Sequence, residues 1–202
     1  ATNGISALQR ASEGGHVEVV KVLLADKRVD PAANNNYAVR CASSNGHVEV
    51  VKVLLADKRV NPAAIANSAI RCACDNGHLE VVKILLADER VDPAEGNNCA
   101  LQWACEQGHV EVVKALLADG RTDPTAENNN AIQRASKGGH VEVVKVLLTD
   151  ERVDPAAQNN KALSCACKWG DVEVVKALLA DGRTDPTAND NYALQCASKE
   201  GH

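Results

Sequence analysis

The sequence predicts an all-α fold, a solenoid of short helix pairs stacked side by side. Three observations predict it. A stretch written Gly46-His47-Val48-Glu49-Val50-Val51-Lys52-Val53-Leu54-Leu55-Ala56-Asp57 recurs with small changes from Gly15, Gly77, Gly108, Gly139 and Gly170, at a constant period of 31 residues. A fixed period of this kind marks a repeat array in which each unit buries its apolar face against its neighbours. Every period then holds two helical patterns and one loop. Finally, the 202 residues include no Phe, no Met, two Trp and two Tyr, so the core must be built from Ala, Val, Leu, Ile and Cys, small side chains suited to thin, closely packed layers.

Within a unit, the first helix runs roughly from Tyr37 to Ser44, with Ala38, Val39 and Ala42 as packing residues. Asn36 precedes it, and Asn67, Asn98, Asn129, Asn160 and Asn191 recur there, residues suited to capping the free amides of the first turn. Ile5 breaks that row in the first unit, where Ser6 is the cap. Gly46 allows a left-handed turn into the second helix. There, apolar residues at 50, 51, 54 and 55 form an amphipathic stripe, while Glu49 and Lys52 sit three apart on the solvated back. Pro62 and its equivalents end each helix pair, and small and polar residues lead to the next unit.

This arrangement resembles the ankyrin repeat family over essentially the whole chain. Ala42, Gly46-His47, Val50-Val51 and Leu54-Leu55 match that family's alanine, glycine-histidine, paired-apolar and leucine-leucine positions. The period of 31 is shorter than the family's usual length, and Tyr37-Ala38-Val39-Arg40 stands where the family has Thr-Pro-Leu-His. With its Asp-Pro-Ala loop and Asn-x-Ala start, the chain is similar to the long ankyrin arrays of protists and giant viruses. The resemblance implies a single array over residues 1–202, about six units plus partial repeats at both ends, with an abbreviated finger or plain loop between units. The chain opens and closes within a repeat without polar caps, so a longer parent is expected.

Composition narrows the function. A net charge of −5, from 22 basic and 27 acidic residues, gives no global pull toward nucleic acid or an anionic membrane. No apolar run approaches the ~20 residues that span a bilayer, and no charged-then-apolar leader opens the chain. Cys41, Cys72, Cys165 and Cys196 share one repeat position, Cys74, Cys105 and Cys167 another, and Cys99 stands alone. Equivalent residues in neighbouring units lie ~8–10 Å apart, whereas a disulfide needs Cα atoms within ~7 Å. Reduced, mostly buried thiols are therefore expected, in an intracellular, cytoplasmic setting.

Two ladders invite chemistry. His16, His47, His78, His109 and His140 are followed by Asp171 in the sixth place, so the shared role reads as hydrogen bonding at the start of the second helix, with no metal site. Arg28, Arg59, Arg90, Arg121, Arg152 and Arg183 each follow an aspartate by two residues, which reads as ion pairs or carbonyl-binding ladders at helix C-termini. No Gly-rich phosphate loop and no Ser/His/Asp set stands outside the repeat register. Neither an enzyme nor a cofactor is expected.

Shared positions build the scaffold, so recognition belongs where the units differ. Variation concentrates in the loops and at both ends of the first helix, which line the concave face of an ankyrin-like stack. All four aromatics fall on this segment: Tyr37, Trp103, Trp169 and Tyr192. Trp169, beside the turn, reads as an interface anchor; Trp103, where other units place Cys or Arg, reads as packing or contact. One variable row runs Glu13, Ser44, Asp75, Glu106, Lys137, Lys168 and Lys199, acidic then basic. The expected function is a protein-binding scaffold whose partner contacts Tyr37, Asp75, Trp103, Glu106, Lys137, Lys168, Trp169, Tyr192 and Lys199, an extended segment of opposite polarity. Nucleic acid and membrane are not expected as partners. The rival reading is a structural spacer or filament-forming array.

Overall fold

The structure, a computed structural model, describes residues 6–202, and these form thirteen helices with no strand. Ile5, read as the break in the asparagine row, lies outside the described residues. The chain divides into two compact units, Ala1–Gly96 and Asn97–His202. In the first, α1 (Ala7–Glu13), α3 (Ala33–Ser44) and α5 (Ala64–Asp75) pack in one layer, and α2 (Val17–Ala25), α4 (Val48–Ala56) and α6 (Leu79–Leu86) in a second. The other unit holds α7 (Glu95–Glu106) from Asn97 onward, α8 (Val110–Asp119), α9 (Ala126–Lys137), α10 (Val141–Leu148), α11 (Ala157–Trp169), α12 (Val172–Asp181) and α13 (Ala188–Glu200). Here α9 packs on α11 and α11 on α13, while α8, α10 and α12 form the layer behind.

The core follows the apolar stripe. Val50, Val51 and Leu54 are fully buried, as are Val81, Val82 and Leu85 in the next unit, and Ala38, Val39 and Ala42 close the layer from the first helix. Glu49 and Lys52 form an exposed ion pair at 2.7 Å on the far side of α4, and the same pair recurs on α2, α6, α8, α10 and α12. Exposed pairs of this type stabilise a helix by only ~0.2–0.5 kcal/mol, so the second-helix back is neutralised rather than strengthened.

The asparagine row does something other than cap. Asn34, Asn35 and Asn36 all have positive φ, 54° to 58°, one left-handed turn ahead of the right-handed helix from Tyr37. Asparagine is the side-chain-bearing residue best suited to that conformation. Buried Asn36 Oδ1 accepts from the backbone N–H of Asn61 in the next unit at 2.7 Å. Asn67, Asn98, Asn129 and Asn160 repeat the bond to Asp92, Asp123, Asp154 and Asp185. The row therefore staples each unit to the loop of the next. Where the row is interrupted, Ser6 does cap α1: its hydroxyl accepts from Gln9 N–H while the Gln9 side chain accepts from Ser6 N–H.

The histidines are also couplers between units and not caps. His47 makes no capping bond to α4; its Nε2 lies 2.8 Å from the Glu13 carbonyl, 34 residues earlier, and His78 and His140 reach Ser44 and Glu106 in the same way. A carbonyl only accepts, so Nε2 carries the proton. The ring leaves no room for a side chain on the preceding turn: a Cβ at Gly15 would stand 2.7 Å from His47 Nδ1, and at Gly46 2.6 Å from His78 Nδ1.

The segment between units is a plain loop, without strands among the described residues. Its Asx-Pro-small motif forms an Asx turn, Asp30 Oδ1 accepting from Ala32 N–H at 2.9 Å, and Asn61, Asp92, Asp123, Asp154 and Asp185 do likewise. The arginine row binds both its aspartate and carbonyls. Arg59 forks onto Asp57 and donates to the Val29 and Leu24 carbonyls of the preceding unit at 2.9 and 3.2 Å; Arg90 and Arg183 repeat the set.

Candidate binding face on the first helices

Each residue expected to contact a partner sits on a first helix. In the unit Ala1–Gly96, Tyr37 opens the right-handed part of α3 and Asp75 ends α5. The Arg40 guanidinium lies 5.5 Å from the Tyr37 ring centre, and a hydrogen bond with Cys41 raises the tyrosine's pKa above its ordinary value. Arg40 and Arg71 stand four residues, one helical turn, before Ser44 and Asp75 on α3 and α5. The row Glu13, Ser44 and Asp75 counts one position per repeat and omits these arginines; Arg71 donates to the Ile65 carbonyl at 3.1 Å.

The unit Asn97–His202 is different. Trp103 and Glu106 lie on α7, Lys137 ends α9, Lys168 and Trp169 end α11, and Tyr192 and Lys199 lie on α13. Glu106 is occupied within the chain: it forms an ion pair with Arg134 of α9, whose guanidinium also lies 5.4 Å from the centre of the Trp103 ring. That stacked triplet joins neighbouring first helices and leaves Trp103 38% exposed. Trp169 is 55% exposed, with the Lys168 ammonium 5.7 Å from its ring centre, and Tyr192 is 44% exposed.

Two grooves run between these helices. One, of about 280 Å³, is lined by Glu106, Arg134, Lys137, Lys161 and Cys165 with two amides; the other, of about 270 Å³, by Lys168, Tyr192, Gln195, Cys196, Lys199 and Glu200. Five cations and two carboxylates line them, in a chain whose net charge is −5. Lys161, Arg134 and the thiols were not among the candidates from sequence. Lys161 was legible in principle: it lies seven residues before Lys168, two helical turns along the same face. Arg134 was not, since its role depends on Trp103 and Glu106 of another helix.

Burial raises the Cys165 thiol pKa above its ordinary value, outweighing the opposing influence of Lys161, Lys137 and Lys168, so the groove floor stays protonated. Burial raises Cys105 and Cys167 too. All eight cysteines are free thiols. The described residues contain no group of His, Cys, Asp or Glu able to hold a metal ion, and no helix among them is long and apolar enough to cross a membrane.

A family model described as ankyrin repeats matches three times, over residues 1–66, 60–128 and 121–190. The chain belongs to the ankyrin repeat family. The ankyrin fold is equally evident among solved structures. The human ASB11 ankyrin repeat domain is 21% identical with a TM-score of 0.75, the match covering 95% of this chain and 97% of that one. An ankyrin repeat domain from Acinetobacter baumannii AYE is 24% identical with a TM-score of 0.71, covering 87% and 97%. No curated protein sequence matches. Ankyrin repeats generally mediate protein–protein interaction, and their fold is typically non-enzymatic.

Proposed function

We propose that the chain is a cytoplasmic, non-enzymatic scaffold, one ankyrin array over residues 1–202, that binds a protein partner through its first helices and the loops before them. The observation that carries this reading is a contrast between the two layers. Lysines of the second helices are each paired with a glutamate three residues earlier. On the first helices, Lys137, Lys161 and Lys199 are exposed without ion-pair partners, beside exposed Trp169 and Tyr192. Trp and Tyr supply large contact areas at low conformational cost, and unpaired ammonium groups can meet a partner without first breaking a bond. Eight free thiols fit a reducing compartment.

The test is site-specific photo-crosslinking in cells with the full chain, the crosslinker placed at Gln133 or Gln195 on the first helices and at Glu142 or Glu173 on the second. A discrete protein captured from the first pair alone supports the reading. Capture only from the second pair contradicts it, and crosslinks solely between copies of the chain favour the spacer or filament reading.

A further inference from the structure

Building on the first-helix reading, we infer that the grooves along α9, α11 and α13 take an extended acidic peptide whose carboxylates recur at every third residue in a polyproline-II conformation. Lys137, Lys168 and Lys199 occupy one repeat position in three successive first helices, each packed on the next. Packed helices stand ~8–10 Å apart, which sets the step of the lysine row. A polyproline-II chain advances ~3.1 Å per residue with three residues per turn, so every third side chain falls on one face at ~9 Å intervals. A β-strand would match the distance but send alternate carboxylates away from the row.

The surroundings fit such an occupant. The row's cations lack carboxylate partners, and Lys161 adds a fourth ammonium to the groove that Lys137 lines. Trp169 and Tyr192, 55% and 44% exposed, lie on the same helices as Lys168 and Lys199 and supply aromatic surface of the kind on which polyproline-II ridges dock. The only carboxylates lining the grooves are Glu106, already held by Arg134, and Glu200 at the far rim. Half-buried Cys165 and Cys196 line the two grooves beside the lysines. A nucleic acid fits less well, because the chain is net acidic and the loops beside the first helices carry Asp123, Asp154 and Asp185.

The probes are fluorescent peptides and an oligonucleotide, titrated into the full chain at low salt and followed by anisotropy. One peptide repeats Glu-Pro-Pro, a second has the same composition with its glutamates adjacent, and the third probe is single-stranded DNA. The triplet peptide is expected to bind roughly tenfold tighter than the clustered one and to weaken as salt rises. The triple variant Lys137→Glu, Lys168→Glu, Lys199→Glu should lose at least about tenfold in affinity while keeping its helical circular dichroism; Lys145→Glu with Lys176→Glu on the second helices should leave binding unchanged. Equal affinity for the two peptides overturns the three-residue register. Tighter binding of DNA shows a general polyanion surface and overturns the peptide assignment. Absence of peptide binding, with crosslinks still mapping a protein to Gln133 or Gln195, overturns the acidic occupant and leaves the first-helix reading standing.

Discussion

Ile65 sits at the position that Asn34 and Gly96 fill in neighbouring units, and it adopts φ 53°, ψ 60° while 48% exposed. A β-branched side chain in the left-handed region is strained by ~1–2 kcal/mol. Ile65→Gly should therefore raise stability by about 1 kcal/mol in a denaturant titration. Two substitutions at buried Asn67 separate its conformational role from its bond: Asn67→Gly keeps the backbone and loses the staple to Asp92, about 1 kcal/mol, whereas Asn67→Ala adds strain and should cost roughly 2–3. Equal losses would show that conformation is irrelevant there. A second residue-scale expectation concerns acid. Hydrogen bonds from Arg59, Arg90 and Arg152 hold Asp57, Asp88 and Asp150 below their ordinary carboxylate pKa. The unfolded carboxyls, near ~3.9, take up protons first, so the pairs' contribution is complete above that value and disappears as pH falls through the lower folded pKa values. The unfolding midpoint should drop from about pH 5 downward, less steeply in the variant carrying Arg59→Gln, Arg90→Gln and Arg152→Gln.

At the scale of the element, two glycines with the same sign of φ predict different losses. Gly120 closes α8 at φ 81° with no atom within 4 Å of an added Cβ, so Gly120→Ala should cost about 1 kcal/mol, the conformational penalty alone. Gly46 has φ 73° and would place its Cβ against the His78 ring, which is itself bound to Ser44. Gly46→Ala should cost more than ~2 kcal/mol, from strain and a broken coupling together. Thermal unfolding of the two variants checks the order. The helices themselves were legible because the Val-Val and Leu-Leu stripe repeats at helical spacing, and so was the arginine ladder. The histidine and asparagine partners were not: asparagine favours helix starts, the histidines stand at the start of the second helices, and the groups they bind lie 34 and 25 residues away. A local rule assigned them local work. The repeat period contained the missing information, since a residue that recurs every 31 positions always has the same neighbours one unit along.

At the scale of the molecule, each layer carries a separate task. The second helices fix the spacing and close their surface with ion pairs; the first helices carry the differences among units. The basic row was legible from Lys137, Lys168 and Lys199 alone, but its depth came from Lys161 and from Arg134 engaging Trp103 and Glu106. Trp169→Ala should leave stability within ~0.5 kcal/mol, because the ring is exposed, and should weaken partner binding by roughly tenfold. Loss of folding in that variant would place Trp169 in the core instead. The most direct measurement of recognition by the first helices is amide hydrogen exchange of the full chain with and without the Glu-Pro-Pro peptide. Protection is predicted at the C-terminal turns of α9, α11 and α13, with α10 and α12 unchanged; protection confined to α10 and α12 would contradict it.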